Sequence, residues 1–164
     1  MNDSIGAVLY AEDSDDDAFL MQRAFEQVNF PGSLVVVPDG VEAIRYLAGH
    51  GAYANRDDHP DPCLILLDLK MPRLDGLGVL EWVRKCDRYR DTPVLMLTSS
   101  SQEKDVANAY EKGVNGYLLK PTDLNRFREL VEDLVRVCQA RQAGLSLEVR
   151  GALRPREPDV LPRK

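Results

Sequence analysis

Five short apolar runs punctuate the chain: Ile5 to Ala11, Ser33 to Val37, Cys63 to Leu67, Val94 to Leu97 and Gly116 to Leu119. Between them apolar residues recur at helical spacing. Ala18, Met21, Ala24, Phe25 and Val28 form one stripe, Val41, Ile44 and Leu47 a second, and Leu77, Leu80 and Val83 a third. Val106, Ala109 and Tyr110 mark a weaker helix before Gly113, and the last stripe runs from Leu124 through Phe127, Leu130 and Leu134 to Cys138. Strict alternation of strand and helix is the pattern of repeated βα units, which right-handed crossovers wind into a parallel sheet covered on both faces. The expected fold is therefore α/β and doubly wound, with a five-stranded parallel sheet and five helices. By analogy with flavodoxin-like sheets of this size, the strand order is 2-1-3-4-5.

A chain of 164 residues holds one well-cored domain and a tail. The domain is expected over residues 4–141. Ser14 or Asp15 is suited to cap the first helix and Thr122 or Asp123 the last. Two segments depart from the βα pattern. Gly49 to Pro62, rich in Gly, Asn, Asp, His and Pro, is expected to be a long loop. The tail, 142–164, contains three prolines and five Lys or Arg against three acids. It is expected to be disordered alone or partner-contacting, since Leu145, Leu147 and Val149 alternate as in a strand that pairs with a partner.

The net charge of -6 and pI near 5.0 argue against a phosphate-backbone binder, so no nucleic-acid partner is expected. A cytoplasmic protein without a membrane partner is expected, because the amino terminus shows no secretion signal and no 18-residue apolar stretch occurs. Cys63, Cys86 and Cys138 lack the spacing of a zinc site. Cys63 and Cys138, which fall within apolar patterns, are expected to be small buried hydrophobes.

Asp68 closes the most apolar of the five runs and is followed by Leu-Lys-Met-Pro-Arg-Leu-Asp-Gly. A carboxylate there lies at the carboxyl end of a core strand, where open α/β sheets place their ligands. Burying its charge is costly, so partners are expected at the rim. Glu12 and Asp13 follow the first strand, beside Asp68 at the topological switch point. Three converging carboxylates repel one another unless a cation intervenes, and a hard divalent ion such as Mg2+ suits that donor set. Thr98 ends the fourth strand and can donate to a phosphoryl oxygen. Lys120 ends the fifth and can pair with Asp68 or a phosphate as a compact point charge.

Glu12-Asp13, Asp68 in DLKMPRLDG, Thr98-Ser99 and Lys120-Pro121, in order on strands one, three, four and five, together resemble the receiver domain of two-component response regulators. The resemblance covers about residues 4 to 140. It implies that Asp68 is the phosphoacceptor, that Mg2+ rests on Glu12, Asp13, Asp68 and the backbone carbonyl of Lys70, and that Thr98 and Lys120 hold the phosphoryl oxygens. It further implies a switch in which Thr98 shifts and Tyr117 turns inward, and a sensor histidine kinase as phosphodonor, since neither His50 nor His59 belongs to the site. In this light the chain is a phosphoacceptor that assists its own phosphorylation, not an enzyme in the ordinary sense.

The acid pair is Glu-Asp where many members have Asp-Asp, and the longer Glu12 arm reaches the metal through water. An aspartyl-phosphate hydrolase would want a second acid two residues after Asp68, where Lys70 stands. An interaction-only receiver would lack one of the acid, Thr or Lys positions. The acidic start of the first helix and the long loop resemble small regulators of bacteriophytochrome kinases. That narrower resemblance implies a light-sensing kinase and a homodimer through the face of the fourth helix, fifth strand and fifth helix, or through the tail.

Overall fold

A computed structural model of the chain describes residues 4–144 and the backbone of residues 160–161. Strands β1 (Ala7–Ala11), β2 (Ser33–Val37), β3 (Pro62–Leu67), β4 (Val94–Thr98) and β5 (Gly116–Leu119) run parallel in the order β2-β1-β3-β4-β5. They alternate with α1 (Asp15–Val28), α2 (Gly40–Ala48), α3 (Gly76–Lys85), α4 (Glu103–Glu111) and α5 (Leu124–Gln142). This is the doubly wound, flavodoxin-like fold that the alternation predicts.

The period of two along each strand sorts the core into two layers. Val8, Tyr10, Leu64 and Leu66 pack under α1 and α5. Leu9, Ile65, Leu67 and Met96 pack under α2, α3 and α4. Both faces being covered, the central strands contain no polar alternation, which is why they read as unbroken apolar runs. Truncating one such side chain, as in Leu66→Ala, costs about 2–5 kcal/mol.

The helices begin where side-chain oxygens satisfy amides that lack a partner within the helix. Ser14 accepts from Asp17, Asp39 from Glu42, Asp75 from Gly78 and Asp123 from Arg126. Gly76 has a second task. A Cβ at that position would lie 2.3 Å from the carbonyl oxygen of Asp68, so only glycine lets α3 start against the end of β3.

Two features depart from expectation. The parallel sheet carries a sixth, antiparallel strand, β6 (Val160–Leu161), whose backbone pairs with Leu118 and Tyr117 of β5. The tail thus adds a strand to its own sheet, at residues the sequence did not single out; the alternating Leu145 to Val149, expected to pair with a partner, lies outside the described residues. The second departure is at Cys63. Ala7 pairs with Pro62 and Val8 with Leu64, leaving Cys63 as an extra residue on β3. This bulge turns its side chain to the α1–α5 face, where its Sγ lies 3.1 Å from that of Cys138.

The long loop expected before β3 is present over 49–61, with one short 3-10 turn at Gly51–Tyr53, and is held by side-chain contacts. Arg56 donates to the carbonyls of Tyr46 and Tyr53 and to the Asp61 carboxylate. Asp61 also accepts from Arg88 at 2.7 Å and contacts the Tyr89 hydroxyl at 2.7 Å. His59 stands edge-on to Tyr46 and Tyr53, remote from Asp68 in the fold as expected. Among the described residues, no helix is long and apolar enough to cross a membrane.

Candidate phosphoryl and metal site

Each candidate side chain is delivered by the end of a strand. The Asp68 amide donates to the Ala11 carbonyl and that of Glu12 to Val37, so both acids prolong the sheet ladder at its carboxyl rim. The Lys120 amide donates to the Thr98 carbonyl in the same way. The backbone is therefore fixed at four of the positions singled out in the sequence.

Glu12, Asp13 and Asp68 each offer an oxygen, and these atoms all lie within 4.8 Å of one another. The donor set is hard oxygen throughout, partly buried and without a thiolate or imidazole, which fits a small divalent cation. Asp68 and Glu12 are buried, whereas Asp13 is exposed.

Lys120 bridges the cluster. Its Nζ lies 3.0 Å from an oxygen of each of Glu12, Asp17 and Asp68. Burial works against a charged Lys120, but hydrogen bonds to Glu12, Asp17 and Asp68 outweigh it and hold the ammonium above its ordinary pKa. Glu12 is also raised above an ordinary carboxyl, which favours its neutral form. Burial raises it to about 7, the Asp68 charge adds to this, and Lys120 opposes it.

Thr98 is buried and its Oγ1 accepts from the Ser100 amide at 3.4 Å. With Asp68, Lys70 and the polar 99–102 segment it lines one open cleft of about 410 Å3. Tyr117 is fully buried beside this segment, and its hydroxyl donates to the Ser100 carbonyl at 2.9 Å. The aromatic on β5 is therefore inward, tied to the β4–α4 connection. All seven residues proposed from the sequence thus gather at one rim, Tyr117 behind it and Lys70 at its open edge.

Two participants were missed. Asp17 reads in the sequence as one of three acids favoured by the α1 dipole, yet it reaches across to Lys120. Tyr10 reads as part of an apolar strand, yet its buried hydroxyl donates to Glu12 at 3.2 Å. Burial and the neighbouring Glu12 raise its pKa far above the ordinary phenol value, so it stays a donor. The signal for Tyr10 lay in its spacing, since residues two apart on a strand share a face.

A doubly wound sheet whose carboxyl rim gathers an acidic trio, a hydroxyl and a half-buried lysine defines the phosphoryl-accepting class of signalling domain. The chain belongs to the response regulator receiver domain family, whose model matches residues 8–132. It is 35% identical to the response regulator Rcp1 of Synechocystis sp. over 77% of this chain and 84% of that one. A crystal structure of Rcp1 in a Mn2+-bound form superposes with a TM-score of 0.69 at 34% identity, over 78% and 90% of the two chains. The phosphorylated cyanobacterial phytochrome response regulator RcpA superposes with a TM-score of 0.73 at 32% identity, covering 82% of this chain and 94% of that one. The bacteriophytochrome response regulator AtBRR is 43% identical over 78% and 91%, with a TM-score of 0.65.

Proposed function

We propose that residues 4–141 form a phosphoacceptor module in which Asp68 receives a phosphoryl group from the phosphohistidine of a sensor histidine kinase. The observation that carries this reading is the convergence of Glu12, Asp13 and Asp68 within 4.8 Å, with Lys120 3.0 Å from Asp68. A carboxylate oxygen of Asp68 attacks phosphorus as the P–N bond breaks, and the departing imidazole takes up a proton. The transition state is loose, so positioning and charge supply most of the catalysis. Lys120 offsets charge on the equatorial oxygens, and Thr98 donates to one of them. Glu12, Asp13, Asp68 and the Lys70 carbonyl would hold Mg2+, which supplies Lewis-acid neutralisation of the phosphoryl oxygens when bound. The Mn2+-bound form of Rcp1 supports a divalent ion at this rim.

The added charge then bears on Thr98 and, through the Ser100 carbonyl, on Tyr117 and β5. The output surface of this reading is the α4–β5–α5 face. A homodimer formed there would meet β6, because β5 is already paired with that strand. The likeness to RcpA and AtBRR favours a bacteriophytochrome kinase as the phosphodonor and the cytoplasm as the compartment.

The test is incubation with acetyl phosphate with and without Mg2+, followed by mass spectrometry of the intact protein and its peptides. One acid-labile phosphate on Asp68, dependent on the metal, is expected. An Asp68→Asn chain that gains the same phosphate would sink the assignment. Phosphotransfer from a panel of phosphorylated kinases tests the donor, and transfer from a bacteriophytochrome kinase faster than from the others is expected.

A further inference from the structure

At the amino end of the sheet, away from the phosphoryl chemistry, two thiols meet that are 75 residues apart in the sequence. Cys63 belongs to β3 and Cys138 to α5, and their Sγ atoms are 3.1 Å apart. Strict alternation would have put Cys63 on the opposite face with Ile65 and Leu67. The bulge re-aims it at α5. Gly6 then leaves room for the sulfur, since a Cβ there would lie 3.2 Å from Cys63 Sγ.

We propose that Cys63 and Cys138 form a thiol–disulfide modification site, closed by a hydroperoxide and reopened by a dithiol. Closing requires the sulfurs to approach by about 1 Å, to a bond of about 2.05 Å. Cys63 is the attacking thiol. It is half-buried where Cys138 is fully buried. Contact with Cys138 holds the Cys63 thiol below its ordinary pKa, with a further push from the charge of Arg141 one turn along α5. That same contact, together with burial, holds Cys138 protonated.

The steps balance. The Cys63 thiolate attacks one peroxide oxygen, the O–O bond breaks, and the departing hydroxide is protonated to water, leaving a sulfenic acid. Cys138 sulfur then attacks Cys63 sulfur, the S–O bond breaks, and the thiol proton leaves with the hydroxyl as a second molecule of water. Two electrons have passed from the sulfurs to the peroxide. The product ties α5 to the strand whose other end carries Asp68.

The test exposes reduced full-length protein to hydrogen peroxide under native conditions, alkylates the remaining thiols and maps the peptides by mass. The expected product is one cross-linked peptide joining Cys63 to Cys138, two hydrogens lighter than the reduced pair. Cys86, which packs in the other core layer, should be alkylated. Dithiothreitol should return three alkylatable thiols. Peroxide treatment that leaves Cys63 and Cys138 both alkylated, or that cross-links either to Cys86, overturns the proposal. In a Cys138→Ser chain, dimedone should label Cys63. In a Cys63→Ser chain, dimedone labelling of Cys138 would overturn the assignment of the attacking thiol.

Discussion

The two ends of β3 treat acidic charge in opposite ways. At the amino end, Asp61 is matched by Arg56, Arg88 and the Tyr89 hydroxyl. Burial alone would raise its carboxyl pKa, but those three donors hold it below the ordinary value. At the carboxyl end, Glu12, Asp17 and Asp68 share Lys120, and Asp13 lies beside Glu12 and Asp68. There burial prevails, and Glu12 is driven up to about 7. A matched network adds stability and is chemically quiet. A surplus of acid costs stability in the absence of a cation and is retained for chemistry.

Substitutions at the two ends should separate accordingly. The largest effect is expected at Lys120: Lys120→Ala should slow phosphorylation of Asp68 by acetyl phosphate by on the order of 10²-fold, the scale for losing one preorganised charge. Stopped-flow measurement at saturating Mg2+ would check this. A rate within a factor of two of the wild type, by contrast, would remove the distinction between the two ends. Thr98→Ala should cost less, about tenfold, because a single neutral hydrogen bond to the transferring group is lost.

The pH dependence sharpens the same contrast. Between pH 4.5 and about 7 the folded chain keeps a proton on Glu12 that the unfolded chain has released. Stability relative to Glu12→Gln should therefore fall as pH rises through that window and level off above it, by ~2–3 kcal/mol in all. Thermal melts of both metal-free chains from pH 4 to 8 would reveal it. Saturating Mg2+ should flatten the difference, because the metal takes the place of the proton. The smallest effect is expected at the matched end. Tyr89→Phe removes a hydroxyl shared by Asp61 and the Leu47 carbonyl, costing about 1–2 kcal/mol of stability with no change in phosphorylation rate. Denaturant unfolding together with the phosphorylation assay would establish both halves.

The same division explains what could be read from the sequence. The strands were legible because burial on both faces removes every polar interruption, and the rim acids because a strand end fixes where its last residue emerges. The caps Ser14 and Asp123 followed from backbone need, whereas the caps Asp39 and Asp75 and the close approach at Gly76 were not singled out. Asp17 was not legible, since an acid in a first turn satisfies the helix dipole whether or not a lysine reaches it. Cys63 was hidden by the bulge, which breaks the period that assigns faces. The Asp61 network joins residues up to 33 positions apart through side chains of no periodic pattern. β6, two residues near prolines in a charged tail, is too short to carry a period at all.

The lysine at the rim has a further consequence. An ammonium has three hydrogens to give, and those of Lys120 face three carboxylates. On the proposed function, an incoming phosphoryl oxygen finds no vacant donor on Lys120 and displaces a carboxylate, so the change at the rim is an exchange at constant coordination number. The displaced oxygen is itself a product of the event, an acceptor newly without the lysine's hydrogen. Its identity, Glu12, Asp17 or Asp68, decides which strand or helix first registers that the site has been filled.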